Sequence, residues 1–314
     1  MRGPVLSAAS TVLFICSAYA QPVPLADHHQ HLFSPAIAAL ISVEPISADD
    51  LVSLLDAAGI SRAVVLSVAY MYGSPSRTIE NEYEKVKEEN DWTSHQVARF
   101  PERLRAFCSF NPLKEYALRE LARCAKDPRL RHGLKLHFGN SVVDYHKPEH
   151  VEQLRTVFRA ANGRRMAIVV HMRASISRHL PYGRDEAGIF LNDIVPAAPD
   201  VPIQIAHLAG AGDYADPLVD QALSVFVDAI EKGDPRTKHL YFDVTAVARP
   251  GAADQAHLVA TRIRQLGLHR ILYGSDAASG ANLPPREGWA AFRKLPLTEA
   301  ELQVIAANVP PYMR

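Results

Sequence analysis

The feature that most constrains this chain is the regular recurrence of short, β-rich apolar runs. Eight stand out: Leu25–Leu32, Ala63–Ala69, Leu104–Phe110, Gly133–Phe138, Ala167–Met172, Pro202–Leu208, Leu240–Thr245 and Ile271–Ser275. Several are nearly unbroken, as in Ala63-Val64-Val65-Leu66 and Ala167-Ile168-Val169-Val170. Such runs suit parallel strands covered on both faces, because side chains pointing either way then meet packing atoms rather than water. Amphipathic segments with helix punctuation lie between them. Ser47 to Asp50 reads as a capping box that opens a helix to Ala58, and Gly59 stops it. Pro148 opens a helix closed by Gly163, Pro217 opens one toward Glu231, and Leu297 to Asn308 reads as a closing helix. Successive runs end about 35 residues apart, the length of one strand-plus-helix unit. Eight such units predict an α/β protein of the (β/α)8 TIM-barrel type. No Gly-x-Gly-x-x-Gly follows the first run, which argues against a dinucleotide-binding open sheet.

The N-terminus carries one positive charge at Arg2, an apolar stretch from Pro4 to Cys16 and then Ala18-Tyr19-Ala20. That order predicts a secretory signal peptide over residues 1–20, cleaved after Ala20, and hence a secreted or periplasmic protein. Residues 21–314 contain no Pro/Gly/Ser-rich linker, so one barrel domain is expected there. The 34 basic and 34 acidic residues balance. This balance argues against a nucleic-acid partner or an anionic membrane surface, and no later segment is apolar for long enough to span a bilayer. A small-molecule substrate is the expected partner, with the chain acting alone or as a homo-oligomer. Of the three cysteines, Cys108 and Cys124 lie beyond the leader, and they could pair in an oxidising compartment or remain two buried thiols.

Catalytic groups of a barrel gather at the C-terminal strand ends. The first run holds Asp27-His28-His29-Gln30-His31, and alternation along a strand turns His29 and His31 the same way, toward one metal ion. Lys135 and His137 end the fourth run, His171 the fifth, His207 the sixth and Asp276 the eighth. A lysine or aspartate finishing a buried strand is costly unless it is paired or ligates a metal. Loop residues Tyr70 and Tyr72, after the second strand, are candidate pocket walls, and Arg173 is a candidate partner for a substrate carboxylate. The charge-rich stretch Tyr83–Glu89 reads as an exposed helix face.

Taken together, His29-x-His31, His171, His207 and Gly274-Ser275-Asp276 resemble the amidohydrolase superfamily. More narrowly they resemble its amidohydrolase-related branch, which includes the aminocarboxymuconate-semialdehyde decarboxylase-like proteins. The resemblance implies a distorted barrel holding one or two divalent metals. It makes His29, His31, His171 and Asp276 metal ligands, with Asp276 and His207 handling protons. Neutral imidazoles and a carboxylate suit zinc, and one Zn²⁺ is expected. A carboxylated Lys135 would bridge a second metal; with one metal, Lys135 and His137 face the substrate or support the ligands from behind. The leading expectation is hydrolysis of a small ester, lactone or amide by metal-bound hydroxide. The alternative is non-oxidative decarboxylation of an aromatic or unsaturated acid, and a third reading is a non-catalytic binding protein on a barrel scaffold.

Overall fold

The computed structural model describes residues 21–212, 214–248, 253–278 and 282–313. The signal-peptide expectation therefore lies outside the described residues. Strands β1 (Ala26–Gln30), β2 (Arg62–Leu66), β3 (Leu104–Ser109), β4 (Gly133–His137), β5 (Ala167–His171), β6 (Ile203–Ile205), β7 (Leu240–Asp243) and β8 (Ile271–Leu272) form one parallel sheet in sequence order. The seam between first and last strands is joined by His28 N–H donating to Tyr273 O at 2.8 Å and Asp276 N–H donating to His29 O at 2.8 Å. The sheet thus closes as a TIM barrel with helices between its strands, as the run spacing predicts.

The helix signals act as their chemistry dictates. Ser47 and Asp50 form a capping box on helix Ala48–Ala58, and Gly59 ends it at φ 71°, a left-handed position that glycine adopts without steric cost. Pro148 begins helix Pro148–Asn162, and Pro217 begins helix Pro217–Glu231 under an Asp216 N-cap. The strands are shorter than their apolar runs because the chain leaves the ladder at the barrel mouth. The sixth shows this best. Pairing stops at Ile205, and His207, Leu208 and Ala209 then take left-handed φ values of 54°, 49° and 65°. Three non-glycine residues in that region are costly, and surrounding contacts must hold them there. Asp243 supplies one such contact, accepting from His207 N–H at 2.8 Å.

Most of the core lies between the strands and the helix layer. A smaller apolar cluster fills the barrel's interior floor: Ala26, Val64, Leu66, Phe107, Ala167 and Val169, with Tyr312 and Met313 entering from the C-terminal segment. Gly133 belongs to this floor by necessity, since a Cβ there would stand 2.3 Å from the Phe107 ring.

Cys108 on β3 and Cys124 at the end of helix Ala117–Cys124 form a disulfide, which decides between the two states open in the sequence. The expectation of an exposed Tyr83–Glu89 face needs correction at Glu89. Helix Glu82–Val97 buries this carboxyl, where it accepts from the Ser34 hydroxyl that caps helix Pro35–Ile41. Burial pushes the Glu89 carboxyl up to about 7 from its ordinary 4.5. A raised carboxyl binds its proton more tightly in the folded state, so its contribution is fully present below about pH 4.5 and is lost as pH rises through about 7. Glu89→Gln should therefore stabilise the protein at pH 8 by up to ~3 kcal/mol and leave it nearly unchanged at pH 4.5. Urea denaturation at both pH values checks this; equal shifts at the two would exclude the ionisation as the cause.

Candidate metal centre

The site begins with an irregularity in β1. Asp27 pairs with Ala63 and Gln30 with Val65, so three steps on β1 oppose two on β2. This bulge re-aims the side chains that follow it, as bulges beside functional sites commonly do. His29 and His31 both reach the cavity at the mouth, with rings 5.3 Å apart. Gly274 makes room for the first of them, because a Cβ at that position would lie 2.7 Å from His29 Cβ.

Hydrogen bonds fix which nitrogen each imidazole offers. His29 Nδ1 donates to Asp243 Oδ2 at 3.0 Å, and His31 Nδ1 donates to Leu66 O at 2.6 Å. His207 Nδ1 donates to Thr245 O at 3.1 Å. Each neutral ring then has Nε2 as its basic nitrogen, the form in which histidine ligates metals or accepts protons. His137 is the opposite case. Its Nδ1 accepts from Asn140 N–H at 3.0 Å, so Nε2 carries the proton and is a donor.

Burial is the main effect that keeps the His29, His31, His137 and His171 rings neutral. It lowers His29 to about 3, with Lys135 adding to the effect, and holds His31, His137 and His171 well below their ordinary value. Burial also draws the Lys135 ammonium down to about 8, against the pull of Asp243 and Asp276. Lys135 Nζ stands 3.2 Å from His29 Nε2, so that lone pair already faces a positive group. Asp243 is buried, which alone would raise its carboxyl. Its contacts with His29 and His207 instead hold it well below the usual range, and it remains an anion.

The ligand atoms of His29, His31 and Asp276 all lie within 4.8 Å of one another, and all three residues are buried. His31 Nε2 is 3.6 Å from Asp276 Oδ1. Two imidazole nitrogens and a carboxylate form a donor set that fits a divalent transition cation. His171 lines the same cavity outside this trio, stacked on His137 at 3.9 Å between centroids and 5.1 Å from His207.

The cavity is about 210 Å³ and is also lined by Tyr70, Lys135, His137, His207 and Asn282. Tyr72 is buried but lies outside that lining. Arg173 lines a separate cleft of about 620 Å³, ion-paired to Asp216 at 2.8 Å and lying over the Tyr182 ring. Two residues went unread in the sequence. Asp243 accepts from four donors: His29 Nδ1, Gln204 Nε2 and the His207 and Thr245 amides. Asn282 donates to Asp276 Oδ2 at 3.0 Å. The available signal for Asp243 was a charged residue inside the apolar run Leu240–Val244.

Residues 26–307 match the description of the amidohydrolase family. The chain belongs to that family. The fold of this amidohydrolase is similar to that of 5-carboxyvanillate decarboxylase from Sphingomonas paucimobilis, with a TM-score of 0.62 and 16% identity over 90% of this chain and 96% of that one. A dihydroxybenzoic acid decarboxylase from Polaromonas sp. carrying bound manganese gives 0.61 at 16% identity, covering 91% and 95%. A probable 2-pyrone-4,6-dicarboxylic acid hydrolase from Acinetobacter baumannii gives 0.60 at 16% identity, covering 90% and 96%. No curated protein matches the sequence. This amidohydrolase is thus a superfamily enzyme with a His-His-Asp group suited to a divalent metal.

Proposed function

We propose that this chain catalyses metal-dependent, non-oxidative decarboxylation of a small aromatic or unsaturated carboxylic acid. The observation that carries the reading is the buried Lys135 ammonium beside the His29–His31–Asp276 group, in a cavity of about 210 Å³. A buried cation in a small pocket favours an anionic substrate of roughly one ring. The decarboxylases among the similar structures support the same chemistry, which places the hydrolysis expected from sequence second.

A divalent metal held by His29, His31 and Asp276 would supply Lewis acidity toward a substrate oxygen. The chain's own groups do the rest. Lys135 Nζ and His137 Nε2–H bind and orient the carboxylate and any ring oxygen, and Tyr70 walls the pocket beside His137, with ring centroids 4.9 Å apart. Carbon dioxide leaves as the bond to the carboxyl carbon breaks. The electron pair stays on the substrate carbon, and a proton first taken up from water by the Asp276 carboxylate or His207 Nε2 is passed to that carbon in place of the carboxyl. We assign Lys135 to the substrate side rather than to a metal bridge, so one metal per chain is expected, with zinc as the preferred ion. Hydrolysis remains the second reading because His207 Nε2, held basic by the bond to Thr245 O, could equally take a proton from water. The Cys108–Cys124 disulfide supports the export reading, since such bonds persist in oxidising compartments.

Metal content, carbon dioxide release and acid release should be measured on a panel of carboxylated aromatics, lactones and esters, before and after chelation. The expected result is about one metal per chain and carbon dioxide release that stops on chelation. Acid release without carbon dioxide would transfer the reading to hydrolysis. Turnover in metal-free protein would remove both, and two metals per chain would make Lys135 a bridge.

A further inference from the structure

The hydrogen bonds that orient His29 do not end at Asp243. They continue down the barrel axis to the floor. Gln204, fully buried on β6, donates from Nε2 to Asp243 Oδ2 at 2.7 Å and to His28 O at 3.2 Å. With both amide protons committed, Gln204 Oε1 must be the acceptor, and it takes its hydrogen bond from the Tyr312 hydroxyl. Tyr312 comes from the C-terminal segment and is packed edge-on against Phe107, with centroids 5.1 Å apart, inside the floor cluster. Every link has one direction only. Asp243 has no proton to give, Gln204 can meet it only with N–H, and Tyr312 must donate.

We propose that Gln204 and Tyr312 are positioning residues for the His29 imidazole, with the Tyr312 hydroxyl locking the Gln204 amide in the one orientation that presents N–H to Asp243. Rotating that amide would turn Oε1 onto a buried carboxylate. The amide carbonyl oxygen and the anionic Asp243 oxygen, both acceptors, would repel, and the Asp243 lone pairs that hold His29 Nδ1–H would shift. The floor of the barrel therefore sets the direction of His29 Nε2 at the mouth. The inference rests on His29 being a metal ligand, as proposed above, for its effect on metal affinity; its effect on His29 Nδ1–H does not.

The test uses the full-length protein. Mn²⁺ affinity is measured by titration calorimetry on wild type, His29→Ala, Tyr312→Phe, Gln204→Leu and the Gln204→Leu/Tyr312→Phe double variant. The His29 Nδ1–H resonance is followed by NMR in the metal-free state. Tyr312→Phe keeps the ring in its packing and removes only the hydroxyl. The expected result is roughly 3–10-fold weaker Mn²⁺ binding in Tyr312→Phe and roughly 10–100-fold in Gln204→Leu, the range for groups that orient a ligand. The double variant should be no weaker than Gln204→Leu alone, since both changes break one chain. Phe107→Leu, which disturbs the same packing without touching a hydrogen bond, should lower thermal stability and leave affinity unchanged. Wild-type affinity in both Tyr312→Phe and Gln204→Leu, with binding lost in His29→Ala, would overturn the inference and leave the metal reading intact. Undiminished binding in His29→Ala would overturn the metal reading; the NMR arm would then decide, with an unmoved Nδ1–H resonance in Tyr312→Phe refuting the relay.

Discussion

Asp276→Asn should lower kcat by about 10³-fold or more while leaving the barrel folded, within the range for loss of a general acid or base. The side chain is placed by the backbone. Asp276 sits at φ 52°, with its N–H on His29 O across the seam and Asn282 Nδ2 on its Oδ2. Asparagine tolerates left-handed backbone about as well as aspartate does and has nearly the same shape, so position is retained. What is lost is an anionic oxygen 3.6 Å from His31 Nε2 and the capacity to carry a proton. Steady-state kinetics at saturating metal, with circular dichroism and thermal unfolding as controls, decide the matter. A rate within tenfold of wild type would show that Asp276 is not the proton carrier, and His207 would take that role alone.

Removing the Cys108–Cys124 crosslink should cost about 3 kcal/mol of stability, the chain-entropy value for closing a loop of roughly this length. The two cysteines are 16 residues apart and both are fully buried. The loss should be felt near the site. Glu120, one turn before Cys124, accepts from Asn90 Nδ2, and Asn90 also bonds the Ser109 backbone. Ser109 Oγ in turn donates to Lys135 O at 2.9 Å. The Cys108→Ala/Cys124→Ala variant should therefore unfold at lower urea than oxidised wild type. Reductant should shift the wild-type midpoint and leave the variant's unmoved. A reductant-insensitive wild type would show that the crosslink contributes nothing to stability.

The barrel was legible because parallel strands buried on both faces leave a hydropathy pattern that depends on no partner. All eight runs became strands in the expected order. The mouth residues were legible for a related reason, since a polar group ending a buried strand is costly and so conspicuous. What stayed hidden depends on pairing. The β1 bulge is a difference in step between two strands, and neither strand encodes it alone. Strand alternation brought His29 and His31 to one cavity correctly but offered no account of His28, whose Nε2 reaches Asn308 O. His207 read as the end of a strand and stands instead in a left-handed turn supported by Asp243, thirty-six residues on. Glu89 read as solvated because its helix is charge-rich, and only the folded structure, in which the Ser34 hydroxyl meets its carboxyl, reveals the burial. Arg173 follows His171 in the right register for the cavity, but β5 has ended by then and its guanidinium pairs with Asp216 instead.

The seam that joins the first strand to the last also sets when the site can exist. His29 is synthesised long before Asp276, and the hydrogen bond between them forms only when the eighth strand docks beside the first. Contacts of such long sequence separation close late in folding. Until then the chain presents His29 and His31 without Asp276, two of the three donors, so the complete group exists only in the closed barrel. The supply of divalent ions where the barrel closes, as much as the donors themselves, would then choose the metal.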